Sequence, residues 1–123
     1  MKRIVLIIIT AFSFTLVQAS VLNEFSYVEK ESKYDTAIIK TSAVCKMCKE
    51  RIEHDMSFEK GVKSVELDLP TQELTIVYRK DKTTEEDLKI AVTKIGYDAD
   101  DLVADQKAHD RLPDCCQKDV EPH

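Results

Sequence analysis

The chain has no tryptophan, and aromatic residues of all kinds make up only 7% of its 123 residues. It therefore has no platform of rings on which nucleic-acid bases would stack. Basic residues are outnumbered, 18 Lys and Arg against 23 Asp and Glu, and they form no stripe, so the net charge is -5. Phosphate backbones and anionic membranes are bound by clustered Lys and Arg, which argues against both as partners. Glycine is scarce, with two in all, and none sits in a Gly-rich phosphate loop. No nucleophile-His-Asp constellation is evident, and the acidic residues read as solvated faces without a pair placed for acid-base work. Internal repeats and low-complexity tracts are absent as well.

What is present begins with an export pattern. Lys2 and Arg3 form a positive start, Ile4 to Val17 is mostly apolar, and Val17-Gln18-Ala19 offers a signal-peptidase site. The apolar run falls short of the ~20 residues that cross a bilayer. Residues 1–19 therefore read as a secretory signal cut after Ala19, with an uncleaved anchor as the alternative. No later run is apolar enough to span a membrane, so no stable membrane insertion is expected once the signal is gone. The expected location is periplasmic or secreted, where disulfides are the default state of thiols. Residues 20–34 are polar and charged, with isolated Phe25 and Tyr27, and read as a linker. The remainder fits one small domain, which buries only about 60% of its unfolded surface.

Ordered patterning starts near Asp35. Ala37, Ile38 and Ile39 form a strand-like run that hands over, through Thr41 to Val44, to a helical stripe of Cys48, Ile52 and Met56. The helix is expected to run to about Ser57, with Gly61 as the break. Val65, Leu67 and Leu69 alternate with Glu66 and Asp68, and Leu74, Ile76 and Tyr78 alternate across the Pro70-Thr71-Gln72-Glu73 connection; the two runs read as a hairpin. Thr83 stands three residues before Glu86, the spacing of a capping box. A second amphipathic stripe (Leu88, Ala91, Val92, Ile95) follows, and Gly96 stands where a left-handed cap belongs. Asp98 to Ala104 is expected to form an Asp-rich edge strand. The order strand, helix, strand, strand, helix, strand predicts an α+β, ferredoxin-like βαββαβ sandwich, with both helices on one face of an antiparallel sheet.

Cys45 and Cys48 sit at the strand-to-helix junction, Cys45 in the loop and Cys48 in the first turn. Two thiols so placed point at one small volume, which admits three readings. A redox-active pair is one, since a helix N-terminus favours thiolate; Lys46 and Met47 between the thiols and the short chain that follows speak against a thioredoxin architecture. A structural disulfide is another, although a bridge across so few residues restrains the unfolded chain very little. The third is a soft-metal site: thiolates prefer Cu(I), Zn(II) and similar ions. A site with two protein ligands suits a d10 ion of low coordination rather than structural zinc, which takes four. Lys46, Lys49 and the helix N-H groups are placed to offset the charge of a bis-thiolate complex.

Residues 35–104 resemble the heavy-metal-associated domain of copper chaperones, soft-metal-transporting P-type ATPases and the periplasmic mercury-binding protein. The resemblance rests on the CxxC after the first strand, on Gly61-Val62-Lys63-Ser64-Val65, on the Leu74-to-Tyr78 strand and on Ile95-Gly96-Tyr97-Asp98-Ala99. It implies that Cys45 and Cys48 bind the ion, Cu(I) first and Hg(II) or Zn(II) next, and that Tyr97 shields it. It also implies a non-enzymatic carrier or buffer that passes the ion to a membrane metal transporter or efflux protein. The chain departs from the family in having Ala43 where Met is common, and Met47 between the cysteines.

Residues 105–123 form a tail outside that resemblance. Ala104 to Arg111 has the makings of a short helix, and Cys115 and Cys116 follow it. Adjacent cysteines bridge each other only with strain. If the tail folds back, either thiol can extend the site to three or four thiolates; otherwise it is a mobile tail that pairs by disulfide, within or between chains. His54 reads as a surface residue, whereas His109 and His123 are candidate extra ligands. The rival functions are a thiol-disulfide oxidoreductase using Cys45 and Cys48, and an interaction module linked through its tail thiols.

Overall fold

The computed structural model describes residues 32–117. The expected signal (residues 1–19), most of the linker, and residues 118–123 with His123 lie outside the described residues. Within them, β1 (Tyr34–Lys40), α1 (Lys46–Ser57), β2 (Val62–Asp68), β3 (Glu73–Arg79) and α2 (Glu85–Ile95) follow one another, and then a short α3 (Gln106–His109) and a 3-10 turn at Asp114–Cys116. No helix among the described residues is long and apolar enough to cross a membrane.

The sheet has the order β1-β3-β2, and both pairings are antiparallel. Its registers explain why one face is buried. Ile39, Leu74 and Leu67 stand opposite one another across the three strands, and Ala37, Ile76 and Val65 form the next row. Because strand side chains alternate, these rows line one face and leave Ile38 on the other, 59% exposed. The stripe Cys48, Ile52 and Met56 of α1 and the stripe Leu88, Ala91 and Val92 of α2 join the same core as those rows, so both helices cover one face. The architecture is the α+β, ferredoxin-like one that the element order predicts, with an open sheet.

Two details differ from expectation. The capping oxygen of α2 is Thr84, whose hydroxyl accepts from the Asp87 N-H at 3.2 Å. The Thr83–Glu86 and Thr84–Asp87 pairs have the same spacing, and the chain uses the second. The expected edge strand at residues 98–104 is not formed: only isolated bridges join Ala99 to Thr41 and to Leu102. The cause lies in the aspartates. The Asp98 carboxylate accepts from the Ala104 N-H at 2.8 Å, and that of Asp100 accepts from the Lys40 N-H at 2.8 Å. Asp100 itself adopts a left-handed φ of 52°. Side-chain acceptors of this kind compete with a ladder and turn the segment back on itself. Three strands are therefore present among the described residues.

Candidate metal centre

The loop between β1 and α1 is fixed before either thiol is reached. Buried Thr41 donates through its hydroxyl to the Gln72 carbonyl (3.1 Å), and the Gln72 amide donates to the Ala43 carbonyl (2.8 Å). The Ser42 hydroxyl accepts from the Asp98 N-H at 3.0 Å, tying the loop to the end of α2. Ala43 is fully buried beneath the loop.

Cys45 is the N-cap of α1. Its sulfur accepts from the Cys48 N-H at 3.4 Å, so a free helix donor points at the ligand atom. Cys48 occupies the first turn with no exposure, heading the buried stripe. The two Sγ atoms lie 3.0 Å apart as free thiols. The lysines expected to offset a thiolate charge are engaged elsewhere. The Lys49 ammonium donates to the Leu67 carbonyl at 2.7 Å and pairs with Glu53, and Lys46 pairs with Glu50 on the surface. The hydrogen-bond donor at the Cys45 sulfur is the backbone N-H of Cys48.

The tail folds back onto this corner. Cys116 is buried, with its Sγ 3.7 Å from that of Cys45, and Cys115 Sγ lies 3.9 Å from that of Cys116. The ligand atoms of Cys45, Cys115 and Cys116 all lie within 4.8 Å of one another. Met47, half-exposed, brings its thioether to 3.9 Å from Cys115 Sγ. Adjacent Cys115 and Cys116 are free thiols, as is every cysteine of the chain. The mobile-tail alternative does not describe residues 105–117, which are docked. His54 is exposed, as its sequence suggests. His109 is buried but is not among the residues whose ligand atoms meet at the thiols.

Tyr97 closes the floor of the site. It has no exposure, and its hydroxyl is buried beside Cys48 and Cys116 without a hydrogen bond of good geometry. Burial, followed by the neighbouring Cys48, drives its pKa far above the ordinary phenol range, so it stays a neutral donor. Burial also pushes the Cys116 thiol up, with the Cys48 contact adding to the effect.

A small antiparallel α+β domain with thiols gathered at the first strand-to-helix junction has the donor set that a soft metal ion prefers. Residues 39–98, just under half of the chain, match the model of the heavy-metal-associated domain. No curated protein matches the chain in sequence. Among solved structures it is similar to the CopZ metallochaperone, at 24% identity over 53% of this chain and 98% of that one, with a TM-score of 0.50. A candidate copper-ion-binding protein from Bacillus anthracis str. Ames is similar at 20% identity over 55% and 99%, with a TM-score of 0.51. These two likenesses establish the fold. Oxidized MerP from Ralstonia metallidurans CH34 overlaps less well, at 22% identity over 53% and 94%, with a TM-score of 0.46.

Proposed function

We propose that the protein is an exported, non-enzymatic carrier or buffer of a soft metal ion, held by the thiolates of Cys45 and Cys48. The observation that carries this reading is the geometry of the thiol pair within a heavy-metal-associated domain. Two sulfurs converge at 3.0 Å on a loop pinned by Gln72 and Asp98, with a helix N-H aimed at one of them. Cu(I) is the first candidate cargo. A soft d10 ion of low coordination suits thiolates, and the similar structures are a metallochaperone and a copper-ion-binding candidate. Hg(II) and Zn(II) remain the next ions to test.

Binding is a proton-for-metal exchange. Each ligating thiol releases its proton to solvent and the thiolate takes the ion. Delivery follows by ligand exchange: a thiolate on a membrane transporter or efflux protein replaces one from Cys45 or Cys48. The reading of an exported protein rests on the pattern of Lys2, Arg3 and the apolar run ending near Ala19.

The same 3.0 Å separation favours a second reading, a thiol-disulfide oxidoreductase. Against it, Cys48 is fully buried and Cys45 only part-exposed, whereas a redox nucleophile must meet a bulky disulfide. One set of samples separates the two. Reduced wild type, Cys45→Ser and Cys48→Ser are loaded with Cu(I) without oxygen, freed of excess ion and assayed for metal. Wild type is expected to retain one ion per chain tightly and either variant to lose it. Turnover of a small disulfide substrate by wild type, with no metal retained, would replace this reading with the enzymatic one.

A further inference from the structure

The family match ends at residue 98, yet the sulfur cluster is completed by residues well beyond it. We infer that residues 105–117 are an intramolecular ligand arm: Cys116, with Cys115 beside it, joins Cys45 and Cys48 to hold a d10 ion in a site of three or four thiolates. This rests on the reading that Cys45 and Cys48 bind a soft metal, and it specifies the coordination of that site.

The sulfur spacings carry the argument. With metal-sulfur bonds of about 2.3 Å, two opposed thiolates stand about 4.6 Å apart, whereas thiolates around a trigonal or tetrahedral ion stand about 3.8–4.0 Å apart. Cys45 to Cys116 at 3.7 Å and Cys115 to Cys116 at 3.9 Å already fall close to the second pattern. The Cys45–Cys48 pair, at 3.0 Å, has to open by about 1 Å for bonds of that length, and Cys48, which lies outside the group of three whose ligand atoms all stand within 4.8 Å, reaches the ion through Cys45 as its near neighbour.

The arm is built into the domain. The Asp105 N-H donates to the Thr93 carbonyl at 3.0 Å, and the Asp105 carboxylate caps α3 through the Ala108 N-H at 2.9 Å. Leu112 enters the core, and Cys116 is 1% exposed. Gly96 makes the approach possible. A Cβ there would stand 3.0 Å from both the Ala108 carbonyl carbon and the His109 nitrogen, and its φ of +116° already favours glycine. The Tyr97 hydroxyl, which lacks a well-formed partner beside Cys48 and Cys116, gains a strong acceptor once those thiols become thiolates. Met47 and Cys115 form the outer edge of the cluster, where an incoming ligand first meets sulfur.

The test is X-ray absorption of the full chain loaded with Cu(I), compared with Cys115→Ser/Cys116→Ser and with Gly96→Ala. The last variant lifts the arm while keeping all four cysteines in the chain. Wild type is expected to show three or four sulfur neighbours, falling to two in both variants. Chelator competition should weaken by about tenfold or more, since even groups outside the first shell of a metal are worth 10- to 100-fold. Wild type with two sulfurs, or a double variant that keeps three, overturns the arm and leaves the CxxC reading standing. Wild type that takes up no ion overturns both.

Discussion

Cys48 does two jobs with one side chain. It heads the buried stripe of α1 and presents its sulfur to Cys45. Serine there should remove metal retention while leaving the rows of the sheet and the α2 stripe in place, so circular dichroism of Cys48→Ser should match wild type. Tyr97 gives a less ordinary prediction. Truncating a buried aromatic usually destabilises, but here the hydroxyl lacks a well-formed hydrogen bond in the empty protein. An unsatisfied buried polar group costs about 1–3 kcal/mol. Tyr97→Phe is therefore expected to leave the thermal midpoint of the metal-free protein unchanged or higher, and to lower affinity for the ion by removing a donor to thiolate. A lower midpoint with unaltered affinity would show that the hydroxyl has no role at the site. The positions of Cys45 and Cys48 were legible in the sequence because loop, cap and stripe are all local. The fate of Lys49 was not, since the Leu67 carbonyl that takes its ammonium comes beside α1 only once β2 packs there, whereas Glu50 and Glu53, which pair with Lys46 and Lys49, lie on α1 itself.

Among the elements, legibility follows the strength of local periodicity. The β2–β3 hairpin and both helical stripes repeat their apolar residues at strand or helix spacing, and they formed as read. Residues 98–104 mix alternation with aspartates that prefer to cap nearby N-H groups, and they became a turn with bridges. The short helix of the tail was legible, but its docking had no local signature: Cys116 meets Cys45 across a separation of 71 residues. Two substitutions check how much the helices contribute. Thr84→Ala removes the α2 cap and should cost about 1 kcal/mol in denaturant unfolding. Ile52→Ala opens the core beneath the metal loop and should cost about 2–5 kcal/mol. If Ile52→Ala cost no more than Thr84→Ala, the α1 stripe would not be the core contact described here.

At the scale of the whole molecule, the described residues of this acidic chain share one sulfur-rich corner. Oxidation there should silence the protein without stiffening it. A disulfide between Cys45 and Cys48 closes so short a loop that the chain-entropy gain is below about 2 kcal/mol. The oxidised protein should thus melt close to the reduced one and bind no soft ion, and metal loading should protect the thiols from alkylation.

The most direct measurement is an anaerobic competition in which reduced protein is titrated with Cu(I) held by a chromophoric chelator. The account predicts that wild type strips the ion until one equivalent per chain is bound, and that Cys45→Ser strips none. Wild type that leaves the chelator complex intact would contradict it.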